Sequence, residues 1–340
     1  MGDGRAWWKA HQNVRVLVTG ATSLLARTTA EILLARGDDV VCLQRRRSTL
    51  AAEQVTADIR DATAVRRAMA GCDAIVHAAA KVGVVGSWDD YRGVNVDGTN
   101  NVLAAARSAG IERVVYVSSP SVAHGGDAIA GLGAERPVLG RKNAFYAESK
   151  AMAEQAALAA NASDLAVVAI RPHLVWGPGD AQLVGRIVDR ARSGRLALVG
   201  GGTALIDTTY ITNAAESLVA ALDRVRPGAV CAGRAYVIAN GEPRPIRDLV
   251  AGICAAAGVP FAPKDVPLPI ARVAGSLVER VWKATRQTTE PPLTRFLAEQ
   301  LGTAHWFDPR PAKDDLGWTP RVTIDQGLEG LAAWCNQPPH

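Results

Sequence analysis

The chain has 340 residues, 48% hydrophobic and 21% charged, which excludes a disordered polyelectrolyte or a fibrous chain and suits one large α/β core with an appended lobe. Basic residues exceed acidic ones by 38 to 33, and this small excess, with no basic face or recognition module, does not make a nucleic-acid binder. Cys42, Cys72, Cys231, Cys254 and Cys335 are widely spaced without a CxxC pair, which disfavours a disulfide framework, and neither they nor the histidines form a zinc motif, so no metal is expected.

Met1 to Asn13 holds Trp7, Trp8 and Lys9 but no long apolar signal segment, and no run of apolar residues reaches membrane-spanning length. A first strand is predicted over 14–19, then a turn at Gly20-Ala21-Thr22 and a helix from Leu24 to Ala35. Gly37 breaks that helix before a strand at 40–43. A helix around Ala62 to Ala70 leads to a strand at 74–77, and a helix from Asn95 to Ala109 leads to a strand at 114–117. Tyr146 to Ala160 reads as a long helix and 166–170 as another buried strand. Such alternation builds βαβ units on a parallel sheet.

Beyond Pro172 the pattern loosens: Gly177-Pro178-Gly179 is a strong turn, Gly200-Gly201-Gly202 another break, and prolines divide the distal half. The expected fold is α/β, a Rossmann-like parallel sheet with a smaller interleaved substrate-binding lobe. Residues 14–171 form the main dinucleotide-binding core, and 172–334 contribute core elements and the C-terminal lobe. That lobe draws on much of 172–200 and 240–306, with strands around 205–238 returning to the core. Between Arg272 and Lys283, Val273, Leu277, Val278, Val281 and Trp282 fall at helical spacing. They mark a packing helix, with membrane-surface contact or a lipid portal as the alternative.

The first turn carries a chemical signal. Gly20 permits a tight turn, and amides at the helix start around Thr22, Ser23, Leu24 and Leu25 can receive a pyrophosphate. Alone, the segment is either an adapted nucleotide loop or an ordinary β-turn-α unit. The second strand ends in Gln44-Arg45-Arg46-Arg47, without an acidic residue to accept bonds from a ribose diol. In a reductase, one or more of Arg45, Arg46 and Arg47, with Arg45 and Arg46 as the named candidates, would instead hold a 2′-phosphate, favouring NADP over NAD; otherwise the arginines are a solvated cluster. Asp58 and Ile59 lie at a later strand end suited to adenine.

Tyr146 and Lys150 stand four residues apart on one helical face. There a lysine can hold ribose hydroxyls and favour a phenolate, while neutral Tyr146 donates a proton to a carbonyl oxygen that receives hydride at carbon. Ser119, after the 114–117 strand, is placed to donate a hydrogen bond to the same oxygen. The tyrosine-lysine spacing alone is a weak signal.

Taken together, the Gly20 loop, Asp58, His77-Ala78-Ala79-Ala80, Asn95-Val96-Asp97-Gly98-Thr99, Ser118-Ser119-Pro120-Ser121 and Tyr146/Lys150 resemble the extended short-chain dehydrogenase/reductase family, in its 3β-hydroxysteroid dehydrogenase-like branch. Arg171-Pro172-His173-Leu174-Val175-Trp176-Gly177-Pro178-Gly179, Asp207-Thr208-Thr209-Tyr210, Pro292-Leu293-Thr294-Arg295 and His305-Trp306-Phe307-Asp308 look like those of bacterial 2-alkyl-3-oxoalkanoate reductases of olefin and β-lactone biosynthesis. The resemblance spans about 14–334. It departs at Ser23 and Ala26, where extended dinucleotide reductases usually carry glycine.

The resemblance implies Ser119 as polariser, Tyr146 as acid or base and Lys150 as ribose anchor. It adds Ala78, Ala79 and Lys81 as cofactor-loop candidates and Asn95 as local support. His173, Trp176 and Arg295 are substrate-pocket candidates. The implied activity is NADPH-dependent reduction of a long-chain hydrophobic 2-alkyl-3-oxoalkanoic acid at C3. A 3β-hydroxysteroid dehydrogenase-like activity and a noncatalytic NADP-binding scaffold are the alternatives. The implied setting is cytoplasmic, as a homo-oligomer, peripheral to a membrane or assembled with thiolase-like and β-lactone-forming enzymes.

Overall fold

The computed structural model describes residues 13–83, 85–123, 127–140, 144–285, 291 and 293–337. Trp7, Trp8, Lys9 and Pro292, singled out in the sequence, lie outside the described residues. Runs of buried β-branched and aliphatic residues set the main sheet. Strand β1, Arg15–Thr19, pairs in parallel with β2, Asp39–Gln44, on one side and with β4, Ala74–His77, on the other. β2 continues to β3, Glu53–Thr56, while β4 continues to β5, Arg113–Val117. Beyond them lie β6, Ala166–Pro172, and β7, Ala235–Ile238. The order β7-β6-β5-β4-β1-β2-β3 is all parallel and reverses direction at β1. This is a Rossmann-like doubly wound sheet, which puts a ligand crevice at the carboxyl ends of β1 and β4.

Both faces are covered, as parallel sheets require. Val16, Val18, Val76 and Val168 pack with Leu33 of the helix Leu24–Arg36 and Leu218 and Leu222 of the helix Ile211–Arg224. The alternate residues Leu17, Ile75, Val114 and Val167 pack with Val102 of the helix Gly98–Ser108 and Ala153 and Ala157 of the helix Phe145–Ala159. The helix Leu24–Arg36 stops at Gly37, whose φ of +96° lets Gly37 and Asp38 amides reach the carbonyls of Leu34 and Leu33.

Three elements differ from the sequence-based expectations. β3 went unseen because Glu53, Gln54 and Thr56 give it no apolar run; it is an edge strand, tied through Gln54 to Ser48 and Leu50. The helix expected from Asn95 is preceded by a π-helical turn, Arg92–Asp97, that carries Asn95 inward. Only β7, of the strands expected to return to the core from 205–238, does so. Leu205–Ile206 follows the glycine turn at 200–202 and joins a four-stranded sheet with Arg244–Pro245, His305–Phe307 and Ile129–Leu132. Thr209–Tyr210 pairs instead with Val175–Trp176. These two-residue strands are too short to extend the main sheet.

Asp207 lies buried between the two layers and accepts bonds from the amides of Gly241 (3.1 Å) and Glu242 (3.2 Å). Burial still pushes its carboxyl up to about 7. Its folded-state pKa therefore exceeds its unfolded value, so its contribution to stability is full below about pH 4 and lost as pH rises towards 7. Asp207→Asn is expected to melt progressively higher relative to wild type between pH 5 and pH 8. A Tm difference independent of pH would contradict the assignment.

Candidate active site

The crevice at the sheet's carboxyl edge begins with a contact only glycine permits. Gly20 has φ +76°, and a Cβ there would lie 2.8 Å from Ala79 Cα and 2.9 Å from Ala79 N. β1 and β4 are locked together beneath it. Thr19 Oγ1 accepts bonds from the amides of Ala78 (3.1 Å) and Ala79 (3.0 Å). Thr99 gives its hydroxyl proton to Asn95 O, so His77 must donate from Nε2 to Thr99 Oγ1 and accept at Nδ1 from Thr19. The ring is fully enclosed, and burial beside the Lys150 charge lowers its pKa to about 3, keeping it neutral.

Together these elements wall a cleft of about 580 Å³. Its nucleotide end is lined by Gly20, Thr22, Ser23 and Leu25, with Ala78, Ala79 and Lys81 opposite. Ser23 caps the helix Leu24–Arg36 by backbone conformation but makes no side-chain capping bond, so the first-turn amides stay available to an anion. Ala26 is fully buried, so the methyl in place of glycine packs into the core and not into the cleft. Arg45, Asp58 and Ile59 line the far end. Asp58 holds Arg60 at 2.9 Å, and that hydrogen bond lowers the carboxyl's pKa, with Arg45 adding to the effect.

One cofactor candidate falls elsewhere: Arg46 is exposed outside the cleft lining. The Leu24 side chain packs into the distal hydrophobic cluster with Trp176, while its amide belongs to the open first turn of the helix. The residue that sequence reasoning passed over is Gln44. It ends β2 where an acidic residue was sought, lines the cleft and is buried. Its Nε2 donates to Ser48 Oγ (3.1 Å) and Gln54 Oε1 (2.9 Å), while its own Oε1 has no partner among the described residues. The glycine cradle, the uncapped helix start and this orphaned acceptor at the β2 end fit a dinucleotide.

The chemistry sits where β5 ends. Ser119 starts a short 3₁₀ turn, Pro120–Val122, and its Oγ accepts bonds from Ser121 Oγ (2.9 Å) and Ser121 N (3.3 Å). With both lone pairs engaged, the Ser119 hydroxyl proton is left to donate, and its bond to Tyr146 partly offsets the upward shift that burial gives the phenol. One turn further along the same helix, Lys150 is 3% exposed, donates to Val117 O at 2.6 Å and stands 4.2 Å above the Tyr116 ring. Burial lowers its pKa to about 7, against the upward pull of Glu154. Asn95 holds the opposite wall: its Oδ1 accepts from Lys81 N (2.7 Å), and its Nδ2 donates to Lys81 O (3.0 Å) and Ser149 Oγ (2.9 Å). The π-helical turn is what brings that amide within reach of both.

Comparison with known proteins gives the family and the fold. Residues 18–269 match the model of the 3-beta hydroxysteroid dehydrogenase/isomerase family. The chain belongs to that family. A 2-alkyl-3-oxoalkanoate reductase of Stenotrophomonas maltophilia is 47% identical over 326 residues, covering 94% of this chain and 99% of its own. A 3-beta-hydroxysteroid dehydrogenase of Mycolicibacterium neoaurum is 32% identical, covering 92% of this chain and 88% of its own. Among solved structures, the UDP-glucuronic acid 4-epimerase of Bacillus cereus in complex with NAD superposes with a TM-score of 0.73 at 18% identity, over 94% of this chain and 98% of its own, a likeness of fold. Like its relatives in the 3-beta hydroxysteroid dehydrogenase/isomerase family, the chain is an oxidoreductase acting on a ketone or its alcohol.

The three substrate-pocket candidates do not line the cleft of this family member. Trp176 is fully buried, stacked edge-on against Tyr210 with its Nε1 donating to Thr208 Oγ1 at 2.9 Å. His173 is buried against Phe307, its Nδ1 bonded to Asp207 O, and burial lowers its pKa to about 4. Arg295 is exposed and pairs with Glu299 at 3.0 Å. All three are packing or surface residues here. The distal residues that do reach the cleft are their neighbours Pro172 and Val175.

Proposed function

We propose that the chain reduces the C3 ketone of a 2-alkyl-3-oxoalkanoic acid to the 3-hydroxy acid with NADPH. The near full-length identity to a reductase of that name carries the reading, and the Ser119, Tyr146 and Lys150 grouping supports the same chemistry. A bound NADPH supplies the hydride that reaches C3. Ser119 donates a hydrogen bond to the ketone oxygen, and Tyr146 delivers a proton to it as negative charge develops. The upward shift of the Tyr146 phenol keeps it protonated at neutral pH, as an acid must be. The Lys150 ammonium holds the ribose hydroxyls and favours the phenolate left behind. Thiolase-like supply of the ketoacid and β-lactone closure of the product are the neighbouring steps this chemistry calls for.

NADPH is favoured by the β2 end, where Gln44 brings no negative charge and Arg45 lines the cleft. A charge-assisted bond to the 2′-phosphate is worth about 1.5–3 kcal/mol. Arg45→Ala is therefore expected to weaken NADPH binding by roughly 10- to 100-fold while leaving NADH binding within about threefold, read by fluorescence titration. Equal losses for both cofactors would remove the arginine from the specificity argument.

The activity itself is tested by incubating the protein with NADP and 2-alkyl-3-hydroxy fatty acids, following reduced cofactor and product mass. Oxidation that depends on Tyr146 is the expected result. Turnover of 3β-hydroxysteroids alone would transfer the assignment to the steroid branch, which the Mycolicibacterium relative represents.

A further inference from the structure

Lys150 is a buried cation seated on an aromatic ring. Its Nζ donates to Val117 O at 2.6 Å and lies 4.2 Å from the centre of the Tyr116 ring. That is well within the roughly 6 Å at which the negative face of a ring attracts an ammonium. An ammonium carries three donors, so two remain once the Val117 carbonyl is served. A carboxylate or carbonyl in place of the ring would stabilise the charge by taking a further donor, whereas a ring face takes none. We propose that Tyr116 is a positioning residue for the reaction: its ring seats the Lys150 ammonium and leaves two N–H donors to the paired hydroxyls of the cofactor ribose.

The strand fixes the ring. Tyr116 stands in β5 between His77 of β4 and Ala169 of β6, and it is 1% exposed. It lies on the side of the sheet covered by the helix Phe145–Ala159, in one packed cluster with Ala153 and Ala157. The His77 ring braces it at 5.7 Å. Burial, reinforced by Glu154, raises the Tyr116 phenol well above its ordinary value. The residue therefore stays neutral and meets the ammonium through its ring, not as a phenolate.

The other ionisable groups around Lys150 do not replace the ring. Glu154, one turn along the same helix, favours the charged form, but both its oxygens are engaged by Arg171 of β6. Tyr146, one turn back, is a neutral phenol in the reducing enzyme. His77 on β4 is held neutral, and a charged imidazole there would repel the ammonium. Burial works against the ammonium, and the ring face is the contact that offsets it without spending a donor. The seat depends on the Tyr146 and Lys150 chemistry of the proposed reaction, and not on which ketoacid is reduced. Lysine titration and cofactor binding need no substrate, so their failure and failure of the substrate assay are separate outcomes.

Tyr116→Phe and Tyr116→Leu would be compared with full-length protein carrying mono-, di- and trifluorinated phenylalanine in place of Tyr116. Fluorination keeps the shape of the ring and drains its negative face, so the fold is preserved while the attraction weakens. The Lys150 side-chain NMR signal of cofactor-free, isotope-labelled protein, assigned by its loss in Lys150→Met, reports the ammonium directly. Tyr116→Phe is expected to titrate within about 0.3 pH unit of wild type and to bind NADPH within about twofold. The fluorinated series should lose the ammonium at progressively lower pH, by about one pH unit in total. Tyr116→Leu should do the same and bind NADPH about tenfold more weakly. Since a neutral amine cannot serve, the fall of ketone reduction with rising pH should begin earlier in the same order. Val114→Ala, a cavity elsewhere in β5, should lower the melting temperature without moving the titration. An unmoved titration across the fluorinated series would overturn the proposal. So would a Tyr116→Phe protein as impaired as Tyr116→Leu, which would assign the effect to the hydroxyl, or an equal shift in Val114→Ala, which would assign it to packing.

Discussion

Tyr146→Phe is expected to lower kcat for ketone reduction by about 100- to 10,000-fold while leaving NADPH affinity within a factor of about two. The aromatic ring stays in place, so the cleft keeps its shape; only the proton donor is lost. Ser119→Ala should act in the same direction but less strongly, since it removes a hydrogen bond to the oxygen and not the proton itself. Burial raises the phenol's pKa, and this gives the two reaction directions opposite pH dependence. Through this residue alone, reduction, which uses the protonated phenol, should decline only at alkaline pH, while oxidation, which uses the phenolate, should rise there. A Tyr146→Phe enzyme with wild-type turnover would remove the residue from the chemistry.

The largest effect on stability is expected from Arg171 and Glu154. Their side chains are 1% and 0% exposed, and the guanidinium meets the carboxylate in a two-pronged contact of 2.8 Å and 2.5 Å. A third bond, from Arg171 Nη1 to Glu135 O at 2.8 Å, extends the pair to the segment beyond Ser119. Removing either partner strands a buried charge, a loss of about 3–5 kcal/mol. Arg171→Met or Glu154→Leu should therefore unfold at markedly lower denaturant concentration, and the double replacement should recover most of the loss. If each single variant melted like wild type, the pair would be shown to contribute nothing. Glu154→Gln carries a second readout. Glu154 raises the proton affinity of Lys150, whose pKa burial has already brought to about 7, so the variant should begin losing activity at lower pH than wild type.

Much of the site was legible because its residues follow strand ends in chain order. Gly20 after β1, Ala78 and Ala79 after β4, Ser119 after β5, and Tyr146 with Lys150 on one helical face all line the same cleft. Local patterns carry such information: a strand's end and a helix's period are both written in neighbouring residues. Gln44 was missed because its meaning depends on the neighbours of its side chain, Ser48 and Gln54. The distal candidates failed for a related reason. His173 and Trp176 stand in a distinctive segment, but whether a side chain points into a cleft or a core is decided by residues far away, such as Asp207, Thr208 and Phe307. β3 was hidden because an edge strand held by polar side chains has no hydrophobic signature.

The four-stranded sheet carries a consequence for anyone exchanging parts between relatives. Its strands come from 129–132, 205–206, 244–245 and 305–307, four stretches separated by long excursions, the first two through the main sheet and the third through the helices of the distal lobe. A chimera cut at one point after Pro172 would join edges from two parents that never co-evolved, at Ile129 against His305 and at Trp306 against Ala130. A working graft would have to carry all four stretches from the same donor. The unit of inheritance in this half of the molecule is a spatial layer and not a length of chain.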